Sequence, residues 1–100
     1  MTDSQTHVLL VRVELFIPQS NSLKACRKVV RSLEDRIRNR FNAAVAETGF
    51  QEKWQRAEIS MAVTGNDIQY LKGQCDAMLR YTEAELLGNA QLINWSIEER

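Results

Sequence analysis

Hydrophobic residues alternate along residues 8–17. Leu9, Val11, Val13, Leu15 and Ile17 take the odd positions, with Arg12 and Glu14 among the even ones. Period two marks a strand with one buried face. Val8, Leu10 and Phe16 make the second face partly apolar, which places this strand inside a sheet. Pro18 ends it, because proline has no N–H for the ladder. After a polar turn the spacing changes. Leu23, Cys26, Val30, Leu33 and Ile37 recur every three or four residues, one stripe of a helix, with Ser22 as N-cap and an end near Arg40. Residues 43–48 predict a short strand around Val45, and residues 49–55 a loop carrying Phe50 and Trp54. Residues 56–64 alternate again, with Ala57, Ile59, Met61 and Val63 inward, and the short connection makes this strand pair antiparallel. Asn66 and Gln69 resemble a capping box for a second helix, whose stripe is Ile68, Leu71, Cys75, Met78, Leu79 and Thr82. Gly73 lies opposite that stripe. Gly88-Asn89 predicts a turn, and residues 91–97 a last strand with Ile93, Trp95 and Ile97 on one face.

The order βαββαβ predicts the α+β class: a ferredoxin-like sandwich, with a four-stranded antiparallel sheet and two helices on one face. Residues 1–7 are expected to form a flexible N-terminal tail and residues 8–100 a single domain. The 100 residues are 44% hydrophobic and 26% charged, enough for one core without staples. No apolar run approaches the roughly 18 residues of a membrane span. Residues 1–7 lack the basic start and greasy centre of a secretory signal. Two cysteines make no disulfide framework. The expectation is a cytoplasmic protein with reduced thiols and no membrane partner.

Little in the chain suits catalysis. The one histidine, His7, is expected to be exposed and without a role. Cys26 and Cys75 fall on helix stripes and are expected to be buried and inert. Metal-ligand spacings and glycine-rich phosphate loops are missing. Glu34 and Asp35 are adjacent on a helix, so their side chains diverge by about 100° and cannot work as a dyad. No enzymatic activity, cofactor, metal or small-molecule substrate is expected.

Charge is more informative. Thirteen Lys+Arg balance thirteen Asp+Glu overall, but residues 1–40 carry a formal +4 and residues 41–100 a formal −4. Seven basic residues lie in the first helix: Lys24, Arg27, Lys28, Arg31, Arg36, Arg38 and Arg40. Arg31 can reach Glu34 or Asp35 along the helix, and Glu34 can reach Arg38. Lys24, Arg27 and Lys28 have no acid in reach, and they sit near the end whose free N–H groups already repel cations, at roughly 0.3–1 kcal/mol each. An anion would remove that cost. One reading is therefore an RNA-backbone contact formed by Ser22, Lys24, Arg27, Lys28, Arg31 and Arg38. The other is a solvated face, or pairing with acids from elsewhere in the fold. The third strand has no aromatic residue, so base stacking on the sheet is not expected. Trp54 either packs beside Arg56 or is displayed to a partner. The open sheet face would show Val8, Leu10 and Phe16, with Ala62, Ala44 and Ala46. With Trp54 these form a partner interface, suited to a homodimer.

Several segments carry a family resemblance. Val13-Glu14-Leu15, Ile17-Pro18, Ser22-Leu23-Lys24, residues 27–33, Arg38-Asn39-Arg40-Phe41-Asn42, Val45-Ala46-Glu47, Trp54-Gln55-Arg56-Ala57 and Asn66-Asp67 resemble the small bacterial YlxP-like family, from about Leu9 to Ile97. The chain departs from that pattern at Ala25 and Cys26, where the family tends to have Glu and Lys. The resemblance implies a ferredoxin-like fold, no enzymatic activity, and genes commonly found among those of translation and ribosome maturation. It favours an RNA-binding accessory factor whose partner is RNA or a ribosomal particle. The alternative is a homodimeric protein-interaction module without nucleic-acid contact.

Overall fold

A computed structural model describes residues 5–86, 88 and 90–100. The elements run β1 (His7–Phe16), α1 (Leu23–Arg40), β2 (Ala44–Gly49), β3 (Arg56–Gly65), α2 (Ile68–Glu85) and β4 (Gln91–Glu99). They form a single sheet in the order β2-β3-β1-β4, antiparallel throughout, with both helices packed on it. This is the predicted ferredoxin-like architecture. The N-terminal four residues of the expected tail, and Asn89 of the expected Gly88-Asn89 turn, lie outside the described residues.

Period-two patterning sets the core. Leu9, Val11, Val13 and Leu15 of β1 and Ala57, Ile59, Met61 and Val63 of β3 turn to the helices and are buried. Cys26, Val30, Leu33 and Ile37 of α1 and Leu71, Cys75 and Met78 of α2 close over them. Thr82 is also fully buried in the α2 stripe. Leu23 begins the α1 stripe only half-buried. Both thiols are free, and burial pushes each up from its ordinary value.

Four local expectations are corrected. The α2 N-cap is Asp67, not Asn66: its carboxylate accepts from the amides of Gln69 (3.1 Å) and Tyr70 (3.2 Å). A carboxylate there meets two free N–H groups at the positive end of the helix. In β4 the ladder shifts between Glu14 and Leu15, so Leu92 pairs with Leu15 while Trp95 pairs with Val13. The bulge takes up Ile93, which breaks the simple alternation of Ile93, Trp95 and Ile97. His7, expected to end the tail, instead opens β1, and its Nδ1 lies 3.2 Å from Glu99 Oε2 across the β1–β4 end. The aromatic ring beside the Arg56 guanidinium is Phe50, 5.2 Å from ring centroid to Cζ, rather than Trp54. Phe50 holds this place with φ of 59°, a left-handed conformation that is costly for a bulky side chain.

Gly73 is an exposed residue inside α2, and a Cβ added there meets nothing within 4 Å. Gly73→Ala is expected to raise stability by about 0.5–1 kcal/mol, because alanine orders more readily in a helix. Thermal unfolding should show an upward shift of a few degrees. A fall would mean that the helix surface there is not open.

Candidate functional site

The start of α1 is fixed by polar ties. Ile17 donates its amide to the Gln55 carbonyl at 2.8 Å, and Gln55 Nε2 donates to the Pro18 carbonyl at 2.9 Å. These bonds hold the β1–α1 turn against the β2–β3 loop. Ser20 Oγ donates to the Ser22 carbonyl at 3.0 Å, and Ser22 Oγ accepts from the Ala25 amide at 3.0 Å. Ser22 is therefore the N-cap predicted from sequence, with its hydroxyl oxygen engaged in the helix.

From that anchored start, Leu23, Lys24, Arg27, Lys28 and Arg31 line a shallow groove of about 570 Å3. At about 100° per residue, the four cations fall on one sector of the helix surface. All four are exposed. Among the described residues, no carboxylate comes within 4 Å of any of them. The expected meeting of Arg31 with Glu34 or Asp35 does not form. Arg38 takes both acids instead, at 3.1 Å each, and donates to the Val45 carbonyl at 2.7 Å. The structure thus separates Arg38 from the other cations. It lies on the β2 side of α1, clamping helix to strand, because Glu34 is buried there and needs a counter-charge. Burial pushes the Glu34 carboxyl up, Arg38 opposes that rise, and Glu47 adds to it.

Other arginines are also committed. Arg36 binds Glu85 at 2.6 Å, Arg12 binds Glu98 at 2.7 Å, and Arg56 pairs with Glu14. The last two pairs lie across the open sheet face. That face does not bring the expected interface residues together. Val8 and Leu10 stand opposite Thr64 and Ala62 at one end, while Phe16 stands opposite Arg56 at the other. Leu10 and Phe16 are roughly 20 Å apart along the strand, with the charge pairs between them. Trp54 lies in the β2–β3 loop, 58% exposed.

A second cluster was not visible in the sequence. Arg40 stacks over the Tyr81 ring, 4.9 Å from Cζ to centroid, and Phe41 meets the same ring edge-on at 5.6 Å. No spacing within one helix signals this, because the contact joins the end of α1 to the end of α2.

A profile of the family described as Protein of unknown function (DUF503) matches residues 8–97. The chain belongs to the DUF503 family. This agrees with the YlxP-like resemblance. The DUF503 chain is 27% identical over 71 residues to Uncharacterized protein YlxP of Bacillus subtilis (strain 168), a match covering 71% of this chain and 77% of that protein. Among solved structures it is similar to MupZ from Pseudomonas fluorescens, with a TM-score of 0.58 at 10% identity, covering 90% of this chain and 69% of the other. It is also similar to the de novo designed protein LFR1 1 with ferredoxin fold, with a TM-score of 0.52 at 15% identity, covering 93% and 82%. At such identities these structural likenesses establish the fold of the DUF503 chain alone. Among the described residues no helix is long and apolar enough to cross a membrane.

Proposed function

We propose that this DUF503 protein is an RNA-binding accessory factor of translation or ribosome maturation, contacting phosphates through the outer face of α1. One observation carries the reading. Lys24, Arg27, Lys28 and Arg31 stand together without an acid within 4 Å among the described residues, while Arg12, Arg36, Arg38 and Arg56 are each paired. Four like charges crowded on one helical sector repel each other. Phosphates would turn that repulsion into attraction and release condensed counterions. Such contacts position the protein on a backbone and carry little sequence information. Arg38, held by Glu34, Asp35 and Val45, belongs to the fold more than to this surface, and Ser22 contributes by holding the helix start.

The test is the salt dependence of binding to a ribosomal RNA fragment, followed by fluorescence anisotropy. Each phosphate contact to single-stranded RNA contributes about −0.7 to the slope of log K against log salt. Four contacts predict a slope near −3, roughly halved in the Lys24→Ala/Arg27→Ala double variant. An unchanged slope in that variant sinks the reading.

A further inference from the structure

The far end of the helical layer holds a different kind of surface. A concavity of about 500 Å3 lies between the end of α1 and the first turns of α2, lined by Arg40, Phe41, Asn42, Tyr70, Gly73 and Gln74 among others. Gly73 lines its floor without a side chain, and a Cβ there would touch nothing within 4 Å. Its rim is aromatic: Tyr70 is 68% exposed, the most exposed large hydrophobic side chain among the described residues. The Arg40 guanidinium lies over the Tyr81 ring. A neighbouring concavity shares Arg40 and Phe41 and adds Arg80. Among the described residues no carboxylate lines either one, and neither Arg40 nor Arg80 has an acid within 4 Å.

We propose that this concavity holds one unpaired nucleobase of single-stranded RNA, between the Arg40 guanidinium and the Tyr70 ring, with a neighbouring phosphate at Arg80. The inference rests on the RNA reading above and gives it a second, chemically distinct contact. Guanidinium planes and phenol rings both stack on bases. An arginine already oriented by Tyr81 loses less freedom when a base arrives. The side-chain amides of Asn42 and Gln74 at the rim present donors and acceptors to a base edge. Gln74 spends one donor on the Asn42 carbonyl, at 3.4 Å. Charge points the same way: two unpaired arginines and no acid suit a ligand that is aromatic and anionic. A paired base is hidden in its helix and could not enter. The site therefore distinguishes single strands from duplexes, which the phosphate-binding face of α1 does not.

The experiment compares a ten-nucleotide oligoadenylate carrying one 2-aminopurine with a fully paired RNA duplex, using the whole chain. Tyr70→Ala is expected to weaken oligoadenylate binding about tenfold, leave duplex binding unchanged, and preserve the salt slope. Gly73→Leu, which fills the floor from an exposed helix position, is expected to do the same without loss of folding. Both variants should abolish the fluorescence quenching that stacking produces. If the wild type binds oligoadenylate and both variants match it, the base site is overturned and the reading of the α1 face stands. If the wild type binds neither RNA, both are overturned.

Discussion

Truncating Leu33 to alanine lowers the unfolding free energy by about 3–4 kcal/mol. Leu33 sits mid-helix in α1 with no exposed surface, among the core residues that face the sheet. Alanine is the better helix former, so the loss does not come from helix propensity. It comes from the transfer energy of the deleted carbons and from the cavity that the rigid sheet cannot collapse to fill. A domain of this size has only about 5–15 kcal/mol in total. A urea titration should show the midpoint falling sharply with the slope unchanged. A loss below about 1 kcal/mol would contradict the seating of α1 on the sheet, and with it the placement of every cation on the helix's outer face.

The second large effect concerns Glu34 and Arg38. Arg38→Met is expected to cost about 2–3 kcal/mol near neutral pH. Removing one partner of a buried pair strands the other, although the 45% exposure of Arg38 tempers the loss. The hydrogen bond to the Val45 carbonyl goes with it. The pH dependence identifies the cause. Burial raises the Glu34 pKa in the folded protein above its ordinary value of 4.5. The folded state therefore holds this proton more tightly than the unfolded chain does. The stability linked to that proton is complete below the ordinary value and is lost as pH rises through the raised folded value. Without Arg38 the folded value rises further, so the deficit of the variant should shrink as pH falls through these raised folded values and be smallest below them. Denaturation curves at several pH values between 4 and 7 check this. A deficit independent of pH would show that Arg38 acts only through its contact with β2.

The elements were legible because period two and period 3.6 are imposed by the core itself: Leu9 to Leu15 at the odd positions of β1, Ala57 to Val63 at those of β3, and the α1 stripe from Cys26 to Ile37 are the residues found buried. What escaped the sequence depends on contacts between elements. The bulge at Ile93 follows from how β4 meets β1 across some eighty residues of chain, and single-strand alternation carries no trace of it. Asn66 and Asp67 are both competent caps, and the actual start of α2 decided between them. Arg31 and Arg38 are both within helical reach of Glu34. Arg38 wins because β2 offers it the Val45 carbonyl on that side. Of the candidate site, Lys24, Arg27, Lys28 and Arg31 could be grouped from spacing alone, since they share one helix. The stack of Arg40 on Tyr81 could not, since it joins two helices.

The unpaired cations of α1 have one more consequence, because the chain as a whole carries no net charge. Near a polyanion such a molecule gains little from long-range attraction but feels a torque that turns α1 toward the negative surface. Electrostatics here governs the angle of approach more than the frequency of encounter, and only within about one Debye length, near 8 Å at physiological ionic strength.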